Sequence, residues 1–288
     1  MEIPHKQIIL ALAFVSTVVF ALYFAAGSML VAAAHHKVAS PPSYLHAETL
    51  NLSSGSGARL ATWLFVPQAP RGAVVVLHGI HASRTDMLSR TELLWHAGFV
   101  VLVPDLQGNG ESTGDRITFG YLESKDADAC ITYLRKRFPR LRVGVVGVSL
   151  GGASVVLASK KVSPDAVVLE SVYPTIAEAL DNRLAMRVGF LSRIMTPLFL
   201  LQLKTRLGIS PGDLRPIDAL KDLRCPLLIA SGTVDRHTTE AQTRALFAAA
   251  NSPKELWMVP GAAHVDLLRY DPDGYNSHVL VFLERYMK

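Results

Sequence analysis

Gly147-Val148-Ser149-Leu150-Gly151 follows the apolar run Val143-Gly144-Val145-Val146 and opens the helical pattern Ser149 to Lys161. The order is a buried strand, a tight turn and a helix. A serine at the apex of such a turn takes strained backbone angles, and small residues two places to either side keep neighbouring side chains clear of it. Gly147 and Gly151 meet that demand. The turn also sets Ser149 at a helix N-terminus, where unpaired N–H groups and the positive end of the helix dipole favour developing negative charge.

Outward from this turn, short β-branched runs alternate with longer helical patterns. The expected strands are Ala61–Val66, Ala73–Leu77, Val100–Val103, Val143–Val146, Ala166–Leu169, Leu227–Ala230 and Glu255–Val259. The expected helices are Thr85–Ala97, Gly120–Phe138, Ser149–Lys161, Thr238–Ala250 and Asp273–Tyr286. Strands apolar throughout are buried on both faces, and their alternation with helices implies parallel βαβ units. The expected fold is α/β: an open, mostly parallel sheet flanked by helices, with chemistry at the carboxyl ends of the strands.

A serine hydroxyl needs a base to take its proton and a third group to orient that base. The strand through Ser231 runs into Gly232-Thr233-Val234-Asp235, which makes Asp235 the expected acid; Glu170, at an earlier strand end, is its rival. The last strand runs into Pro260-Gly261-Ala262-Ala263-His264, and His264 is the expected base. His237 lies too close in sequence to Asp235 to reach it from a separate loop, and His278 sits inside the last helical pattern. Asp266 reads as a solvated or capping residue. The oxyanion of a tetrahedral intermediate needs backbone donors, expected at Leu150 N–H and at Ile80 N–H in the loop His78-Gly79-Ile80-His81. His78 is expected to shape that loop. A metal site at His78 and His81 is not expected, since no third ligand clusters with them.

With these motifs in order, the chain from about Tyr44 onward resembles an α/β-hydrolase fold serine hydrolase of the bacterial esterase-like group, which implies a mostly parallel eight-stranded sheet flanked by helices. Asp105-Leu106-Gln107-Gly108-Asn109-Gly110-Glu111-Ser112 resembles the loop this superfamily carries after its fourth strand, with Gln107 and Asn109 where Arg and His are usual. The resemblance implies Ser149, Asp235 and His264 as a catalytic triad, and a reaction that needs no metal or organic cofactor. The function it implies is hydrolysis of a carboxylic ester or related acyl bond through an acyl-enzyme. The other readings are a serine aminopeptidase, for which Glu170 or Glu178 would have to receive the substrate amine, an acyltransferase or thioesterase, and a non-catalytic tethered binding protein.

The chain has 288 residues, half of them hydrophobic and 18% charged, which excludes a disordered protein. Its net charge of +5 is scattered, so no nucleic-acid partner is expected. Cys130 and Cys225 sit in or beside apolar segments and read as two buried thiols. Ile8 to Ala34 carries no charge, and its 27 residues make a helix of about 40 Å, enough to cross a bilayer core of about 30 Å. Residues 1–38 are therefore an expected membrane anchor with the rest of the chain extracytoplasmic. Cleavage near Ala34, giving a secreted or periplasmic protein, is the alternative. Residues 39–43, with Pro41-Pro42, form an expected linker, and 44–288 the hydrolase domain.

A cap insertion is expected at about 172–214, dense in leucine and phenylalanine. These side chains either pack the cap onto the domain or line an acyl pocket and touch the bilayer, with Arg183, Arg187, Arg193, Lys204 and Arg206 facing headgroups. The expected substrate is a small or lipid-like acyl compound. Oligomeric state is not legible.

Overall fold

The structure is a computed structural model that describes residues 5–158 and 163–287. It divides into two compact units, Met1–Ala32 and Ala33–Lys288. The first holds one helix, α1 (His5–Val31), long and apolar enough to cross a membrane by length and composition. The second begins with Ala34–His35 paired in parallel with Asn109–Gly110, so the chain is already bound to the larger unit before the proline pair.

Among the described residues, eight strands form the main sheet: β1 (Glu48–Ser53), β2 (Arg59–Phe65), β3 (Gly72–Leu77), β4 (Phe99–Pro104), β5 (Val143–Val148), β6 (Ala166–Glu170), β7 (Leu227–Gly232) and β8 (Lys254–Val259). Their order is β8-β7-β6-β5-β3-β4-β2-β1. All pairs are parallel except β1 with β2 and β2 with β4. The topology is that of the α/β-hydrolase fold.

Strands β3 to β6 are buried on both faces, as their unbroken apolar sequences require. Each fully buried valine or leucine contributes on the order of 1.5–3 kcal/mol by leaving water. Helices α2 (Leu88–His96), α3 (Glu123–Arg137) and α4 (Leu150–Ala158) cover the centre of the sheet. Ser159 to Lys161, the end of the expected Ser149–Lys161 helix, lie outside the described residues. Tyr275, Phe282 and Met287 close the core over Trp63, Val74 and Val101. Cys130 and Cys225 are buried free thiols.

One helix departs from expectation at its start. The segment Thr85–Ala97 opens with a tighter turn over Arg84–Met87, because Ser83 and Asp86 form a capping box that starts it one residue early. The expected Asp273–Tyr286 helix is present as one helical run over residues 272–286: Asp271 caps its first turn, and a wide π-type turn over Asn276–Leu280 lies inside it before the regular turns of Val281–Tyr286.

Candidate active site

Ser149 sits at the end of β5 with φ +49°, a left-handed conformation that costs a non-glycine residue about 1–2 kcal/mol. Its N–H donates to Glu170 O at 2.8 Å, which ties the turn to the neighbouring strand β6. A Cβ on Gly147 would lie 2.6 Å from Gly152 Cα, and one on Gly151 2.6 Å from Leu77 Cβ. Both glycines are thus demanded by close approach, and the serine between them is buried.

The loops after β7 and β8 are stitched together. Thr233 N–H donates to Val259 O and Val234 N–H to Ala262 O, each at 3.0 Å, while a Cβ on Gly232 would fall 2.0 Å from Ala262 O. That interlock brings His264 Nδ1–H to Asp235 Oδ2 at 2.8 Å. The other oxygen, Asp235 Oδ1, accepts from His237 N–H at 2.8 Å and Thr238 N–H at 2.9 Å. Burial acts to raise the Asp235 carboxyl, but the His264 hydrogen bond and charge and the two backbone donors overcome it, and the group titrates below its ordinary value. With Nδ1–H committed to Asp235, Nε2 is the ring nitrogen left to accept a proton. Among the described residues no hydrogen bond joins Ser149 Oγ to this ring, a contact that commonly tightens only around substrate.

The rival histidines have other work. The His237 ring lies 4.7 Å from that of His264, and burial together with His264 and Arg183 holds it below its ordinary value. It flanks the His264 ring. His278 stacks on Trp257 at 4.9 Å.

Around the serine, the backbone donors can be accounted for one by one. Ser149 N–H goes to Glu170 O and Gly151 N–H to His78 O. In the loop after β3, His81 N–H goes to Asn109 Oδ1 and Ala82 N–H to Gly79 O. Among the described residues this leaves Leu150 N–H uncommitted on one side and Gly79 and Ile80 N–H on the other. A Cβ on Gly79 would lie 3.8 Å from Ser149 Cβ, so the two loops face each other across Ser149.

The loop after β4 is built from buried polar contacts. His78 Nδ1–H donates to Gly79 O at 2.7 Å, His78 Nε2 accepts from Leu106 N–H at 2.9 Å, and burial keeps the ring below its ordinary value. Arg84 pairs with Asp105 and Glu111. Gln107 Nε2–H bonds Glu123 at 2.9 Å, and Asn109 holds His81, so both departures from the superfamily pattern still shape the loop.

Beneath it, Asp126 accepts from Ser54, Ser56 and Gln107 N–H, yet burial pushes its carboxyl up to about 6. A raised carboxyl contributes stability that is fully present below its unfolded value of about 3.9 and is lost as pH rises through the folded value. Asp126→Asn should therefore remove on the order of 2–3 kcal/mol of pH-dependent stability between those limits. Denaturant melts of the two proteins at about pH 3.5 and about pH 7 measure it; equal changes with pH in both would refute a raised Asp126 carboxyl.

A second buried cluster was not expected. Arg90, on α2, donates from Nε to Glu170 Oε1 at 3.1 Å and from Nη2 to Glu170 Oε2 at 2.5 Å, while Nη1 meets Asp266 Oδ2 at 2.9 Å. Tyr275 O–H also donates to Glu170 at 2.6 Å. Glu170 is thereby held by Arg90 and Tyr275 beneath the Ser149 turn, while Asp235 is the carboxylate that meets His264. Asp266 caps the helix Leu267–Tyr270, as its sequence position suggested, and also anchors the His264 loop to Arg90.

The cap consists of α5 (Ile176–Val188) and α6 (Ser192–Leu207), joined by a turn at Gly189–Leu191. Asn182 Nδ2–H donates to His237 O at 3.0 Å, fixing α5 beside the acid loop. Arg183 does not face headgroups as expected: it is half-buried, bonds Ala179 O at 2.9 Å, and lies within the electrostatic reach of Asp235 and Tyr173. Its position two turns into α5 points it inward. Glu178 is paired with Thr175 at the N-terminus of α5.

Residues 68–207 match the family model described as serine aminopeptidase, S33, a span that includes Ser149 and the cap and stops before Asp235. Among curated proteins, the chain is 22% identical over 237 residues to the uncharacterized protein YqkD of Bacillus subtilis, covering 81% of this chain and 78% of that one. It is 27% identical over 253 residues to the α/β-hydrolase domain-containing protein WAV2 of Arabidopsis thaliana, covering 83% and 79%. Among solved structures, the Pyrococcus furiosus esterase Pf2001 superimposes with a TM-score of 0.73 at 20% identity, over 89% of this chain and 99% of that one. A thermophilic esterase from Thermogutta terrifontis gives 0.61 at 16% identity, over 84% and 100%. This chain is an α/β-hydrolase-fold protein, similar in sequence to the serine aminopeptidase family and in fold to solved esterases.

Proposed function

We propose that this protein is a serine hydrolase that cleaves a carboxylic ester, held at a membrane by α1. The observation that carries the reading is the Asp235–His264 hydrogen bond of 2.8 Å, formed on loops that converge at the strand ends where Ser149 sits in a strained turn. His264 Nε2 takes the Ser149 Oγ proton as Oγ attacks the ester carbonyl carbon. Leu150 N–H and a donor at Ile80 or Gly79 hold the resulting oxyanion. The C–O bond to the alcohol then breaks as His264 returns the proton to the leaving oxygen. Water, deprotonated by the same nitrogen, attacks the acyl-enzyme and releases the acid, and Ser149 recovers its proton. Asp235 keeps the imidazole in the tautomer this requires.

The ester reading is favoured over an exopeptidase because Glu170 and Glu178, the carboxylates that could receive a substrate amine, are engaged by Arg90 and Thr175. A panel of nitrophenyl esters and aminoacyl nitroanilides tests this. Turnover of esters alone is expected, with Asp235→Asn lowering kcat by about 10⁴-fold; turnover of the anilides alone would overturn it. For the anchor, the proposed orientation leaves residues 33–288 extracytoplasmic, and protease added outside intact cells should reach them. Protection of that domain would reverse the orientation, and a soluble shortened product would refute the anchor.

A further inference from the structure

Helix α6 is built inside out for a helix facing water. Its inward side carries buried Ser192, Thr196 and Gln202, with Thr196 O–H donating to Asp181 at 3.0 Å, alongside Phe199 and Leu203. Its outward side carries Ile194, Leu198 and Leu201, a stripe at helical spacing that continues Leu191 and the 80% exposed Phe190 of the preceding turn. Ile194 and Leu201 are 64% and 63% exposed. Large apolar side chains that outnumber polar ones on an exposed face mark a surface meant for a non-aqueous neighbour.

Charge narrows what that neighbour is. No acidic residue lies between Asp181 and Asp213, and Arg187, Arg193 and Lys204 are exposed along the same segment. A second copy would bring the same cations against each other. A bilayer surface carrying anionic headgroups offers an apolar boundary for the leucines and phosphates for the cations. The chain's own α1 is apolar enough to hold the protein at such a surface.

We infer that the tip of the cap, Phe190 with the Leu191, Ile194, Leu198 and Leu201 stripe, docks into the headgroup boundary of an anionic bilayer. The cap is then the element through which an acyl substrate dissolved in lipid would pass. The surface is independent of the catalytic reading, since none of its residues belongs to the triad, so it is tested in catalytically blocked protein.

The experiment uses full-length Ser149→Ala protein reconstituted in phosphatidylcholine vesicles with or without phosphatidylserine, with an environment-sensitive fluorophore on Phe190→Cys. The two native thiols are buried and leave the label site-specific. A second protein carries the label on Lys136→Cys, exposed on α3. Spin-labelled acyl chains should quench the Phe190 label by about twofold or more in phosphatidylserine vesicles and leave the Lys136 label unchanged. Adding Arg187→Glu, Arg193→Glu and Lys204→Glu should abolish that quenching. Equal behaviour of the two labels in every vesicle would overturn the proposal. So would a blue shift at Phe190 that appears in detergent without vesicles and grows with protein concentration, since that marks contact between copies.

Discussion

Ser149→Ala is expected to lower kcat for a nitrophenyl ester by about 10⁴- to 10⁶-fold while leaving the fold intact. The loss is large because the covalent route disappears; the residual rate comes from Leu150 N–H and the opposing loop donors acting on water attack. Ser149→Gly separates chemistry from strain. At φ +49° a glycine pays little of the left-handed cost, so this variant should be equally inactive yet more stable than wild type by about 1 kcal/mol. Paired rate assays and denaturant melts measure both. A Ser149→Gly protein less stable than wild type would mean that the turn is not strained in solution.

Arg90→Met should cost about 3–5 kcal/mol, because it leaves Glu170 and Asp266 sharing a water-poor site without their cation. In a domain of this size that lowers the melting temperature by roughly 10 °C. Removing the acid as well, as Arg90→Met with Glu170→Leu, should recover much of the loss, because a buried ion pair replaced by apolar groups is often close to neutral. A thermal melt of the single variant within 1 °C of wild type would show that the cluster contributes little.

The Ser149 turn was readable from five residues because its constraint is local: Gly147 and Gly151 are fixed by close contacts within a few positions and with the next strand. The hydrogen bond between Asp235 and His264 was readable because both residues follow the ends of neighbouring strands. The Arg90–Glu170 pair was not, since its partners are 80 residues apart and the strand pattern marks Glu170 only as an end. Strand β1 was missed for a different reason. Glu48-Thr-Leu-Asn-Leu-Ser53 lies at the sheet edge with most of its side chains exposed, so it lacks the apolar run by which the inner strands announce themselves. The cap was legible as an apolar insertion, but which leucines face out depends on the register of α6 against α5, and Arg183 turned inward for the same reason.

The proposed mechanism requires Ser149 to be a nucleophile activated by His264. Its most direct test is the reaction of the full-length protein with a fluorophosphonate, followed by peptide mass spectrometry. The account predicts a single phosphonyl adduct on Ser149, no adduct in Ser149→Ala, and labelling of His264→Ala slowed by orders of magnitude. A folded wild-type protein that remains unlabelled, or one labelled at another residue, would contradict it.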